Sequence, residues 1–385
     1  MEENFDREEM PESAEAISEA ESSSSGESET LILEQTQKDG IKKKLRFASN
    51  RIGWATTLLI SVWMGLMFLF SIVISVIEYT IGAMLPFSVA EFYNQYILLV
   101  NEISLGIAIA IAVLILFPVP QVKVENRTVE FPHFLKTLMI CFGVGYLGNL
   151  IGTFVLSLWN GFTGNSVGDE LVTVLNGMSP LMIFLFSVLL APILEELFFR
   201  KFLIDRLRPF GRTVSVLLPA FLFGLFHQSA EQLFYAFAVG AILSYFYYET
   251  GKYWLVVAIH AIFNWISGFI PMQFLPKITA FSNELAPIME NISETATMDE
   301  ITEQMMPLIE TYGTTLALYA FYVLLLFVIN ITGVILFFVN LKKFRENKEE
   351  RTLEGSETVK TVMLNPGMII CTVIWGGLTI LSLFS

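Results

Sequence analysis

The sequence predicts an all-α polytopic membrane protein of about nine transmembrane helices, with a catalytic core of four consecutive helices. Three observations carry that expectation. The chain is 54% hydrophobic and 16% charged, with a mean hydropathy of +0.62, whereas soluble domains run nearer 45–50% apolar and 25% charged. Several apolar runs reach the roughly 20 residues needed to cross a hydrocarbon core. Basic residues gather in every second connecting segment, the charge pattern of cytosolic loops.

The net charge of −14 is not spread evenly. Residues 1–40 carry thirteen acidic residues against Arg7 and Lys38, together with Ser22–Ser25. Such a segment buries too little to fold, so residues 1–45 read as an acidic, disordered cytoplasmic tail. The first apolar run comes too late and is too long for a signal peptide.

Residues 46–177 hold the N-terminal spans. Lys42, Lys43, Lys44, Arg46 and Arg51 precede a first span at about Trp54–Ile81 and place the N-terminus in the cytosol. A base-free segment follows, then a second span at about Tyr96–Val119. Lys123, Arg127, His133 and Lys136 mark the next inner loop, with His133 read as a surface residue. The third span is about Thr137–Trp159, and the base-free stretch 160–177 lies outside.

Residues 178–270 form the expected core. The fourth span, about Met178–Ile204, ends in Arg200, Lys201, Arg206, Arg208 and Arg212. Pro192 removes a backbone donor inside it and bends the helix near Glu195 and Glu196. The fifth, about Val214–His227, is short and contains Pro219 and Gly224; the sixth is about Gln232–Tyr248. Ala236, Gly240 and Ser244 recur there at the spacing of close helix packing. The seventh span is about Trp254–Ile270. An acidic extracytoplasmic loop, 271–312, has Lys277 as its only base and an amphipathic stretch near Ile301–Ile309. Residues 313–385 return through an eighth span, about Thr314–Leu341, a basic segment from Lys342 to Arg351, and a ninth span, about Leu364–Phe384.

The chemistry lies in the core. An ionised group at a helix centre costs about 2.5–3.5 kcal/mol, so charges inside a span are paired or used. On a helix Glu196 and Arg200 share one face with the acid N-terminal to the base, the better orientation. Glu195 points about 100° away and is left over, the position of a general base. By the same spacing, Phe223 shares a face with His227, and His260 with Asn264. The bland alternative is a helix end whose charges snorkel to the headgroups. Two histidines on separate spans, following a glutamate pair on a third, weigh against it. Cys141 and Cys371 read as small core residues. No Walker loop, HExxH or CxxC is present. No nucleic-acid partner is expected.

The ordered set Glu195-Glu196-x-x-x-Arg200, Phe223-x-x-x-His227 and His260-x-x-x-Asn264 resembles the CPBP family, the CAAX proteases and bacteriocin-processing enzymes also called Abi or type II CAAX endopeptidases. The resemblance covers about Met178–Phe269 and implies intramembrane proteolysis of a membrane-embedded or lipid-linked peptide or protein. It implies that Glu195 is the base, that His227 helps it activate water, that His260 and Asn264 stabilise the oxyanion, and that Glu196 and Arg200 support Glu195. No cofactor is expected. The competing reading has Glu195, His227 and His260 hold one zinc ion; against it, Arg200 beside the site opposes a divalent cation. A non-catalytic scaffold or bacteriocin self-immunity protein would keep the fold with a decayed motif, and here no motif position is lost. A transporter would show internal repeats, and none are visible. The expected location is the cell membrane.

Overall fold

The protein is described by a computed structural model covering residues 12–164, 178–291, 297–345, 353 and 355–384. The described residues form ten helices and no strand. These are α1 (Glu12–Ile81), α2 (Val89–Leu116), α3 (Phe131–Thr163), α4 (Pro180–Phe210), α5 (Arg212–Phe226), α6 (Ala230–Thr250), α7 (Tyr253–Glu290), α8 (Met298–Arg345), α9 (Gly355–Met363) and α10 (Pro366–Leu381).

Six of them, α1 to α4, α7 and α8, are long and apolar enough to cross a membrane. The pair α9–α10, bent by 77°, makes a seventh if counted as one broken span. This falls short of the nine spans expected from sequence. With the bent pair counted as the ninth expected span, the two outside this set are the fifth and sixth: α5 is a shorter apolar helix, and α6 carries Glu231, Glu249 and four tyrosines. Both pack inside the bundle.

Two further differences concern the polar ends. From Glu12 onward the acidic tail continues α1 as helix, where composition predicts disorder. Its Glu- and Ala-rich composition favours extending a helix already nucleated in the first span, and the side chains from Ile32 to Asp39 are exposed. Residues 1–11 and most of the stretch 160–177, expected to form an outer loop, lie outside the described residues. The loop 271–312 is likewise helical where described, with α7 running to Glu290 and α8 starting at Met298. A hydrogen bond of 2.7 Å from Tyr312 to Glu284 ties the two arms of this hairpin together. Both residues are polar enough to sit in water, which is why hydropathy alone stops short of them.

The bundle has two apolar cores. One joins α1, α2, α4, α5 and α10 through residues such as Leu59, Leu105, Phe198, Phe199, Phe226 and Trp375. The other joins α3, α6 and α7 through Cys141, Phe142, Leu243, Tyr247 and Ile259. Helix α4 contributes to both, with Phe198 and Phe199 in the first and Ile204 in the second. The glutamate pair therefore sits at the seam between the cores.

Small residues set the helix spacings, since association within lipid relies on close backbone approach. A Cβ at Gly333 of α8 would collide with Met139 O and the Gly143 backbone of α3, and one at Gly143 would strike Gly333. Gly240 of α6 lies against Phe223 and Ala220 of α5, as the small-residue pattern implied. Gly333→Val should therefore lower stability by about 1–3 kcal/mol through overpacking. Gly376→Val, where a Cβ meets nothing within 4 Å, should not. Thermal unfolding in detergent distinguishes them; equal midpoints would mean that the α3–α8 contact does not hold the bundle.

Candidate active site

The local course of α4 follows from Pro192. Lacking an N–H, it cannot continue the regular ladder. The helix widens into a π-turn over Phe184–Leu190 and another over Leu197–Phe202, with an α-helical segment, Ala191–Glu196, between them. Such bulges are frequent at functional sites because they re-aim side chains. Between the two bulges, Glu195 and Glu196 each approach a different nitrogen of the His260 ring.

Glu196 is fully buried. Its Oε2 lies 2.9 Å from Arg200 Nε, an ion pair whose angle falls short of a hydrogen bond. Its Oε1 lies 2.8 Å from His260 Nδ1. One carboxylate thus joins α4 to α7 and is spent on two basic groups. Arg200, also fully buried, stacks its guanidinium over the Phe223 ring at 4.4 Å, a cation–π contact that replaces lost hydration. Phe223 is the hub, because the rings of His227 and His260 both meet it edge-on, at 4.9 and 5.7 Å.

Glu195 is differently placed. It keeps 13% side-chain exposure, and its Oε2 lies 3.8 Å from His260 Nε2, beyond direct hydrogen-bond reach. His227 closes α5, and its Nδ1 lies 2.9 Å from Phe223 O, which leaves Nε2 available. Asn264 Nδ2 donates to Ser187 O at 3.1 Å, a carbonyl within the first π-turn of α4. Tyr253 of α7 donates to Ile193 O at 2.7 Å, pinning the segment that carries the glutamates.

Glu195, Glu196, Arg200 and His260 thus form one cluster of neighbouring charged groups, and His227 reaches it through Phe223. Asn264 is anchored one turn beyond His260 on the face toward α4. Among the described residues, no group of three His, Cys, Asp or Glu side chains is arranged to hold a metal ion. His133 is half-buried with its ring edge-on to Phe246, not a free surface residue.

Residues 177–266 match the family model described as Type II CAAX prenyl endopeptidase Rce1-like. Over this segment, about a quarter of the chain, the protein is similar to that family. Comparison with curated proteins and with solved structures finds no match. The Rce1-like segment contains all six site residues, and the match supports CAAX-type endopeptidase activity for this multi-pass membrane protein. The helices that wall the site from outside the segment are α1, α2, α3 and α10.

The structure draws in two residues that the motif spacing does not single out. Tyr253 gives no signal in the sequence beyond its aromatic character. Glu102 of α2 does: it is an acidic residue inside an apolar span, the same signal that marks Glu195.

Proposed function

We propose that the protein is an intramembrane endopeptidase that hydrolyses peptide bonds of prenylated, CAAX-type membrane-associated substrates. The observation that carries this reading is the unequal use of the two adjacent glutamates. Glu196 is consumed by Arg200 and His260, whereas Glu195 keeps a free oxygen facing His260 Nε2 across a gap of 3.8 Å. A carboxylate held beside a nitrogen donor but not bonded to it is placed to take a proton from water.

In this reading Glu195 removes the proton as the water oxygen attacks the scissile carbonyl. His227, with Nε2 available, shares in orienting that water. The oxyanion is met by His260 Nε2 and Asn264 Nδ2. With Nδ1 held by Glu196, donation from Nε2 requires the His260 ring to carry both protons, a charge that the flanking carboxyls of Glu195 and Glu196 offset. Asn264 turns from Ser187 O to the oxyanion when substrate arrives. The mechanism uses no metal. The N-terminus and the basic loop ends face the cytosol, where the scissile bond of a lipid-anchored chain end would enter.

His260→Ala and Asn264→Ala should therefore lower kcat more than they raise KM, because donors to an oxyanion act mainly in the transition state. The loss expected for one donor is about 2.7–4 kcal/mol. An effect confined to KM would reassign both residues to substrate binding. The reading as a whole is tested by comparing membrane proteomes of cells carrying the wild type and Glu195→Ala. Precursors retaining their C-terminal extension should accumulate with the variant; identical proteomes would leave the protease reading without a substrate.

A further inference from the structure

Peptide hydrolysis needs a base for water, donors for the oxyanion and an acid for the leaving amine. The six residues of the Rce1-like segment supply the first two. Glu102 lies outside that segment, on α2, and is 5% exposed. Its Oε1 accepts from Asn101 Nδ2 at 3.1 Å, and Asn101 Oδ1 in turn accepts from Trp63 Nε1 of α1 at 3.0 Å. Trp63 stacks on Phe226, the neighbour of His227, with centroids 5.1 Å apart. The chain of contacts fixes the carboxyl from behind. Its second oxygen, Oε2, is buried with no hydrogen-bond partner among the described residues. An orphaned buried carboxyl oxygen is expensive unless something else comes to meet it.

Helix α2 packs along α4 from Pro180–Ile183 to Leu197–Phe202. At the far end, Arg206 Nε donates to Leu116 O at 3.0 Å. Counted back from that contact, Glu102 and Glu195 lie at the same depth to within about one turn, roughly 5 Å. Leu105, three residues after Glu102, and Phe198, three after Glu195, share the first core. Glu195 and Glu196 have Arg200 and His260 beside them. Among the described residues no basic side chain pairs with Glu102, so it can hold a proton without breaking an ion pair.

We propose that Glu102 is a further catalytic residue, the acid that protonates the leaving amine. This rests on the hydrolase reading above. As Glu195 takes a proton from water, the water oxygen bonds to the carbonyl carbon and the carbonyl electron pair moves to oxygen. When the tetrahedral intermediate collapses, the C–N bond breaks and its electron pair stays on nitrogen, which takes the proton from Glu102. The proton on Glu195 then passes to Glu102, and both groups return to their starting states. No other reactant is required.

The test uses the full-length protein in detergent and two quenched-fluorophore peptides, each with a farnesylated cysteine before the scissile bond. One has an amide at that bond and the other an ester. An alkoxide leaves with far less help from an acid than an amine does. Glu102→Gln should therefore lower amide turnover roughly hundredfold or more, the usual range for general acid catalysis, while ester turnover stays near wild type. Glu102→Asp, which keeps an acid, should recover part of the amide turnover. Equal losses on both substrates, unchanged amide turnover, or an Asp variant as inactive as Gln would each overturn the assignment. A wild type inactive on both peptides would instead overturn the hydrolase reading, and a Glu195→Gln variant losing both activities separates the base from the acid.

Discussion

Glu195→Gln should yield a folded, membrane-inserted protein that no longer cleaves. Gln matches Glu in shape and can still accept a hydrogen bond, but it cannot take a proton from water. Glu195 has only a long contact to lose: His260 Nε2 is 3.8 Å away, and that ring is already held by Glu196 at 2.8 Å. The side chain is also partly exposed, so an amide there costs little desolvation. The stability of the variant should match wild type, while turnover falls by about 10²–10⁴ or more, the contribution expected of a general base. Thermal unfolding and peptide cleavage on the same preparation check both halves. A variant that unfolds early would show that Glu195 is a structural residue, and one that cleaves normally would remove it from the mechanism.

Glu196→Gln should fail in a different way. Both oxygens of Glu196 are committed, Oε1 to His260 Nδ1 and Oε2 to Arg200 Nε. An amide can offer an acceptor to only one of them and must turn an NH₂ group toward the other, donor against donor. Arg200 is then a fully buried cation with no carboxylate, and breaking a buried pair from one side costs about 3–5 kcal/mol. The unfolding midpoint should drop along with activity, since His260 loses the contact that orients its ring. Wild-type stability with activity alone lost would make Glu196, not Glu195, the residue that does the chemistry.

The contrast between these two neighbours was legible in the sequence. An i,i+4 spacing pairs Glu196 with Arg200 and turns Glu195 away, and the observed separation of 2.9 Å between Glu196 and Arg200 is what that spacing implies. The break near Pro192 was legible too, because a missing N–H has to disturb the ladder; the sequence could not say that the disturbance takes the form of two π-turns. The second bond of Glu196, to His260, joins α4 to α7 across the fold, and no local spacing reports it. The same is true of Asn264 and Ser187, far apart in sequence and 3.1 Å apart in space. The count of nine is not confirmed, because hydropathy registers apolar runs such as α5 that are shorter than a full crossing helix. Hydropathy undercounted helix in the tail and in residues 271–312, where helix continues into polar sequence. Glu102 escapes motif spacing because it stands alone in α2, with no second charged residue at helical spacing within the apolar run.

The proposed mechanism rests on activation of water by Glu195 without a metal. Its most direct test is hydrolysis of the farnesylated amide peptide by the purified protein, with product masses and zinc content read from the same preparation. The wild type should cleave at far less than one zinc per chain, undiminished by chelators, and Glu195→Gln should not cleave. One zinc per active chain, lost together with activity on chelation and restored with it on adding zinc back, would make Glu195 a metal ligand and not the base.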